Sequence, residues 1–279
     1  MKRVDKIVIV GVGLIGGSIG LALKRRQLAS EIIGVGHRKS SIDKAVRLKA
    51  IDSGTLNIKD GVKGADIVIF ATPILTMTGL LKKALPNLKK GCIITDVGST
   101  KSTLTKEIES ILSGRASFIG GHPMAGSEKR GVEKANASLF KGSLCILTNT
   151  QKADERSLKT IKELWTALEA KVVVLSPVLH DKIVSEISHL PHIAAFSIIE
   201  AIDKSSLKFA SRGFHDTTRI ASSDAKVWKD IAISNKGEIL RTITNFKKRL
   251  SAIERAIEKG DGAALLRIFK RAKAKRESL

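Results

Sequence analysis

Histidine changes charge closest to neutral pH, so a histidine on a glycine-rich loop is the first candidate for acid–base chemistry. His122 sits on such a loop, Gly120-Gly121-His122-Pro123-Met124-Ala125-Gly126-Ser127-Glu128. A second polar segment, Thr95-Asp96-Val97-Gly98-Ser99-Thr100-Lys101, offers the Ser99 hydroxyl. Both follow short apolar runs, and the carboxyl ends of parallel strands are where open α/β sheets bind ligands. Further on, Ser188-His189-Leu190-Pro191-His192 puts two histidines one helical turn apart, on one side with Ser185 and Phe196. Pro191 must disturb that helix locally. Such a pair can be packing, a metal site or catalytic machinery, but no carboxylate or cysteine completes a metal set. Phe214-His215-Asp216-Thr217-Thr218-Arg219-Ile220-Ala221, then Ser223-Asp224 and Trp228, form the last segment. Taken alone, Arg219 reads as a surface arginine.

A hydride carrier has a place of its own. Gly11-Val12-Gly13-Leu14-Ile15-Gly16-Gly17-Ser18 follows the first apolar run and opens an amphipathic stretch, the context that a GxGxxG loop needs to bind a dinucleotide. Gly11 suits the tight turn, Gly13 the approach to the pyrophosphate, and Gly16 the packing of helix on strand, with Leu14 and Ile15 in the helix turn facing the phosphates. Thr72 and Pro73, beyond the third long run, are expected to complete the cofactor site. The second run ends Gly34-Val35-Gly36-His37-Arg38-Lys39-Ser40-Ser41, without the acid that would accept the ribose hydroxyls of NAD. His37, Arg38 and Ser40 are therefore assigned to the cofactor, and the balance leans to NADP, whose 2′-phosphate Arg38 could bind. The other reading is a loop that is merely basic.

These residues need a scaffold. Apolar, largely β-branched runs at 7–10, 32–35, 67–71, 93–95, 118–119, 144–147 and 172–175 predict strands covered on both faces. Helical segments are expected at 14–28, 40–49, 75–85, 101–112 and 154–168, and the alternation predicts a doubly wound, mostly parallel α/β Rossmann domain over 1–176. After Ser176-Pro177 the period turns helical. Ile183, Ile187, Leu190, Ala194 and Ile198 read as a core stripe, followed by Ile231, Leu240, Ile243, Phe246, Leu250, Ile253 and Ile257. An all-helical domain is expected over 177–279.

The chain carries 49 Lys plus Arg against 27 Asp plus Glu, a net charge of +22, which suits anionic partners without choosing among them. With no tyrosine and only eight Phe and two Trp, stacking platforms for single strands are scarce, and the basic C-terminus (Lys270, Arg271, Lys273, Lys275, Arg276) reads as a solvated helix end. No nucleic-acid partner is expected. No apolar run approaches a membrane span, and no signal peptide is evident. Cys92 and Cys145 read as buried thiols in a reducing cytoplasm.

Taken together, the segments resemble the prephenate/arogenate dehydrogenase family of tyrosine biosynthesis. The motifs are GVGLIGGS at 11–18, DVGSTK at 96–101, GGHPMAGSEKRG at 120–131, SHLPH at 188–192 and FHDTTRIASSD at 214–224, with Trp228. They stand in the family's order and span essentially the whole chain. The resemblance implies NAD(P)-dependent oxidative decarboxylation of prephenate to 4-hydroxyphenylpyruvate, or of arogenate to tyrosine. It implies that His122 takes the ring hydroxyl proton and that Ser99 orients both histidine and hydroxyl. Arg219 would grip a substrate carboxylate and His192 would help hold the substrate. His189 would support the site from behind, while Glu128 and Asp216 organise the entrance. It also implies a homodimer through the helical domain, with residues near Trp228 reaching the neighbouring site. One departure is His215, where some members carry Lys before the aspartate, so a Lys–Asp gate becomes a His–Asp pair or is absent. With no mutase or ACT domain expected beside the two core domains, tyrosine inhibition is expected to be competitive. A β-hydroxyacid dehydrogenase would share the architecture but not GGHPMAG with SHLPH. A basic nucleic-acid-binding protein would lack these motifs, and a dead cofactor sensor would not need Ser99, His122 and Arg219 together.

Overall fold

Each apolar run serves two cores at once because successive side chains of a strand point to opposite faces. Ile7 and Ile9 pack into one buried cluster and Val8 and Val10 into the other. The structure is a computed structural model that describes residues 2–126 and 131–279. Its strands are β1 (Val4–Val10), β2 (Ala29–Val35), β3 (Ser53–Thr55), β4 (Ile67–Phe70), β5 (Ile93–Asp96), β6 (Ser117–Pro123), β7 (Leu144–Thr148) and β8 (Lys171–Leu175). They form one sheet in the order β3-β2-β1-β4-β5-β6-β7-β8. Only β6 and β7 run antiparallel. All seven predicted runs are strands. β3 was not anticipated, because Ser-Gly-Thr carries no apolar signal; its pairing with β2 makes it an edge strand.

Helices α1 (Leu14–Arg25), α2 (Lys39–Arg47), α3 (Ile58–Gly61), α4 (Ile74–Ala84), α5 (Ser102–Leu112) and α6 (Glu155–Ala167) cover the sheet. Residues of α1, α2 and α6 share the core of Ile7 and Ile9, and residues of α3, α4 and α5 share that of Val8 and Val10. Both cysteines are free and buried, and burial pushes the Cys92 thiol up to about 12, so neither is poised to react.

Beyond β8 the chain is helical: α7 (Pro177–Val184), a π-helical turn (Ser185–His189), α8 (Leu190–Glu200), α9 (Arg212–Thr218), α10 (Ala225–Ser234), α11 (Lys236–Glu258) and α12 (Gly262–Glu277). Ser176 caps α7 by accepting from the Leu179 N–H, with Pro177 in the first turn. Among the described residues no helix is long and apolar enough to cross a membrane.

The predicted core stripe needs correction. Ile187 is 62% exposed and Ile198 lies at the surface, whereas Asp181, Val184, Ser185 and His189 are buried. Two causes act together. Pro191 has no N–H to donate within the helix, and the preceding turn widens so that the Leu190 N–H reaches back five residues to Ser185 O, shifting the register of the two halves. The face turned toward the sheet is also polar, which no apolar stripe reveals. Leu240, Phe246, Leu250 and Ile257 are exposed as well, while Ile231 and Ile239 are buried.

Candidate active site

The glycine loop lies at the end of β1, next to β4, where the strand order reverses. Gly11 holds φ +99°, and a Cβ there would stand 2.5 Å from Ala71 O; a Cβ at Gly16 would stand 2.1 Å from Gly11 O. Both positions therefore require glycine. Gly13 caps α1 without any side-chain hydrogen bond, and the space where its Cβ would lie is open. The first-turn N–H groups of Leu14 and Ile15 are thus left without a side-chain acceptor, an arrangement that fits a dinucleotide phosphate. Thr72 lies beside Gly11 with its Oγ1 buried and unpartnered, and Pro73 caps α4. His37, Arg38 and Ser40 are exposed at the β2–α2 turn. Lys39 is engaged by Asp43 at 2.8 Å, whereas Arg38 has no ion pair with the described residues.

His122 stands at the end of β6, buried at 8% exposure. Its Nδ1 is 2.8 Å from His180 Nε2, and His180 Nδ1 is 2.7 Å from Asp181 Oδ1. Asp181 also accepts from the backbone N–H groups of Lys101 (2.8 Å) and Ser102 (2.7 Å), at the start of α5. Burial pushes the Asp181 carboxyl up, but the His180 N–H and those backbone donors outweigh it, and its pKa lies below the usual carboxylate range. The carboxylate is therefore ionised and acceptor-only, which fixes every proton in the row. His180 donates from Nδ1 and accepts at Nε2; His122 donates from Nδ1, leaving its Nε2 lone pair free. Burial above all, and then His180, Lys101 and His189, drive the His122 pKa well below the usual imidazole value. A neutral base results, with one nitrogen that has no hydrogen-bond partner among the described residues.

The helical wall supplies the other histidines. Asn235 donates from Nδ2 to Asp181 O (2.9 Å) and to His189 Nδ1 (3.2 Å). His189 is buried and held neutral, its pKa brought down to about 4 chiefly by burial. His192 donates from Nδ1 to Ser188 O (3.0 Å) and stacks on Trp228 at 3.8 Å, while His189 meets the same indole edge-on at 5.9 Å. Burial first, and Arg219 as well, depress His192. Arg219 itself is exposed at the end of α9. Ser99 is half-buried on the β5–α5 loop, and Gly126 of the His122 loop approaches Ile15 of the glycine loop. The structure thus links His122, His189, His192 and Trp228 in one run of neighbours, with exposed Arg219 near enough to His192 to lower its pKa. Of the two alternatives for the gate, a His215–Asp216 pair or none, the described residues show no such pair: Asp216 faces Arg212 at 3.7 Å, and His215 lies against Phe214. Glu128 lies outside the described residues. Among those residues no cluster could hold a metal ion.

Comparison with known proteins bears directly on this site. A family model described as "Prephenate dehydrogenase, nucleotide-binding domain" matches residues 19–174, and one described as "Prephenate dehydrogenase, dimerization domain" matches 176–271. The chain belongs to the prephenate dehydrogenase family. It is 39% identical to the prephenate dehydrogenase of Bacillus subtilis (strain 168), over 99% of this chain and 76% of that protein. A solved prephenate dehydrogenase from A. aeolicus, in complex with hydroxyphenyl propionate and NAD+, superposes with TM-score 0.92 at 37% identity, covering 98% of each chain. The arogenate dehydrogenase of Synechocystis superposes with TM-score 0.85 at 30% identity, covering 98% of this chain and 99% of that one.

Within this family member, sequence reasoning missed His180, Asp181 and Asn235. A signal for two of them existed. Extending the Ser185–His189–His192 face one turn back reaches Asp181, with His180 beside it. Asn235 had none, because its role depends on how α11 crosses the π turn.

Proposed function

We propose that this chain is an NAD(P)-dependent prephenate dehydrogenase, converting prephenate to 4-hydroxyphenylpyruvate with loss of carbon dioxide. The observation that carries the reading is the His122–His180–Asp181 row, which leaves an unprotonated Nε2 at the end of β6, on the segment whose Gly126 approaches Ile15 of the glycine loop. A bound nicotinamide supplies the hydride acceptor. His122 Nε2 takes the proton of the ring hydroxyl as its carbon is oxidised, and Asp181, acting through His180, steadies the imidazolium that forms. Ser99 orients the hydroxyl, and Arg219 binds a carboxylate in a two-pronged grip. His192 holds the substrate against Trp228, with His189 packed behind. We assign residues 1–176 to cofactor binding and 177–279 to substrate binding and pairing of two subunits, through apolar residues such as Leu240, Phe246 and Leu250. The enzyme works in the cytoplasm, where its two thiols stay free.

The cofactor preference leans to NADP, because Arg38 at the β2–α2 turn has no ion pair with the described residues and no acid stands in that turn. Arogenate is the second reading, favoured by the likeness to the Synechocystis enzyme. A two-by-two assay tests both: prephenate or arogenate, each with NAD or NADP, followed by absorbance of the reduced cofactor. Turnover of prephenate, faster with NADP, is the expected result. Turnover of arogenate alone would shift the substrate, and a folded, cofactor-binding protein silent with all four pairs would overturn the reading.

A further inference from the structure

Lysine is almost never fully buried unless it is paired, yet Lys101 and Asp96 are both completely inaccessible. The ammonium has three hydrogens and three acceptors: Asp96 Oδ2 at 2.8 Å, Gly98 O at 2.6 Å and Thr100 O at 3.3 Å. Gly98 and Thr100 are the two neighbours of Ser99, so one charged group holds the carbonyls on both sides of that serine. Asp96 completes the brace. Its Oδ2 also accepts from the Gly98 N–H at 2.7 Å, and its Oδ1 from the Gly121 N–H at 3.1 Å, one residue before His122. The lysine stem crosses β6 where a Cβ at Gly120 would come within 2.9 Å of Lys101 Cδ and 2.3 Å of Thr148 Oγ1. The bonds close into a ring. From His122 they run through His180 to Asp181 and to the backbone N–H of Lys101. They return along the Lys101 side chain to Asp96, and from Asp96 to Gly121.

We propose that Asp96 and Lys101 are a positioning pair that fixes the Ser99 loop against the His122 strand, so that hydroxyl and base address one substrate atom together. Neither residue touches the reacting atoms; both act through the backbone on either side of Ser99 and ahead of His122. A role in stability alone does not account for the pair. A buried ion pair is commonly matched or bettered by apolar residues of similar size, which would leave the two carbonyls beside Ser99 unheld. Close alignment of reacting groups is what such rigidity serves, and a misplacement of about 1 Å costs on the order of a hundredfold in rate.

The proposal rests on the dehydrogenase reading, which wild-type turnover tests by itself. The pair is judged on the variants Lys101→Met, Lys101→Arg and Asp96→Asn/Lys101→Met. The double variant leaves no charge unpaired and decides the matter should Lys101→Met fail to fold. Turnover is normalised to cofactor sites titrated in the same sample, so unfolded protein does not count. Expected is a kcat lower by roughly a hundredfold in Lys101→Met and by at least about tenfold in the double variant, with KM and cofactor affinity within about threefold of wild type. Lys101→Arg keeps the charge but not the three-way geometry, and is expected to lose kcat too. NMR of isotope-labelled imidazoles gives a second readout that needs no substrate: the His122 ring gives one set of signals in the wild type, and these shift or split in the variants as the backbone ahead of it loses its brace. A folded double variant with wild-type kcat and unchanged His122 ring signals would overturn the proposal.

Discussion

The two sides of the candidate site follow opposite plans. Around His122, the polar groups of His180, Asp181, Lys101 and Asp96 are buried and hydrogen-bonded, and the row of donors and acceptors permits one proton arrangement. Around Arg219, the charged groups are open: Asp216 is 71% exposed and its partner Arg212 is 94% exposed. Surface pairs of that kind contribute little and rearrange easily. Under the proposed function, the contrast matches what each side would have to do. A base needs one fixed tautomer before substrate arrives, since reorganisation during the reaction adds to the barrier. A carboxylate clamp can assemble on contact, drawing its order from the ligand it grips. The buried side is costly to fold, because unpaired charges there would be severely destabilising; the exposed side costs almost nothing until it binds.

The strongest way to break this contrast is His122→Asn. Asparagine keeps a polar group of similar reach but cannot accept the proton. Loss of a positioned base is expected to lower kcat by about 10³-fold, with cofactor affinity unchanged. Steady-state kinetics and a cofactor titration would check both halves. A loss below about tenfold would mean that proton removal is carried elsewhere, and that the buried row serves architecture alone.

How much of this could be read beforehand depends on which forces were local. The sheet was legible because buried parallel strands are apolar throughout, so the period alone marks them. β3 escaped because an edge strand of three small residues is made by its neighbour's hydrogen bonds. The glycine loop was legible because Gly11 and Gly16 answer backbone constraints that no other residue meets. His122, Ser99 and Arg219 stood out through their motifs, and the structure sets the first in a buried row, the second on a half-buried loop and the third at an exposed rim. His180, Asp181 and Lys101 did not stand out. A lysine or aspartate reads as surface until the fold shows what pairs with it, and these pairs join residues far apart in the chain. The core stripe through Ile187 failed for a related reason: the π turn shifts the helix register, and the face turned to the sheet is polar, paired only once the fold brings its partners together.

The buried side also predicts how stability responds to acid. His122, His180, His189 and His192 all have pKa values depressed first of all by burial, His189 to about 4. In the unfolded chain they titrate near the ordinary value, so between there and the folded values the unfolded state binds more protons. Stability is therefore present above about pH 6.5 and falls as pH drops from there toward 4. His189 alone accounts for about 3 kcal/mol across that span, on the linkage of shift to free energy. Urea unfolding at a series of pH values would measure the slope. In His189→Asn the slope should flatten, because the variant has no proton to gain on unfolding at that position. An unchanged slope would place His189 in contact with water and remove it from the rigid side of the contrast.

The smallest effect is expected on the open side. In the proposed role, Arg219→Ala removes a charged donor from a substrate carboxylate, an interaction worth about 2 kcal/mol, or roughly thirtyfold in KM. The side-chain carboxylate keeps its charge while the ring carboxylate leaves as carbon dioxide, so a grip on the former should leave kcat nearly unchanged. Arg219→Lys sharpens the point: it keeps the charge and loses the planar fork, so KM should fall between wild type and alanine. Thermal stability should be unaffected in both, since Arg219 has no ion pair with the described residues for its loss to break. The alternative outcome is equally informative. If kcat drops while KM holds, Arg219 acts in the transition state, and the open side is organised before the chemistry just as the buried side is. The two walls would then be separate in exposure but not in function, and the depressed titration of His192 beside Arg219 would belong to catalysis and not to binding alone.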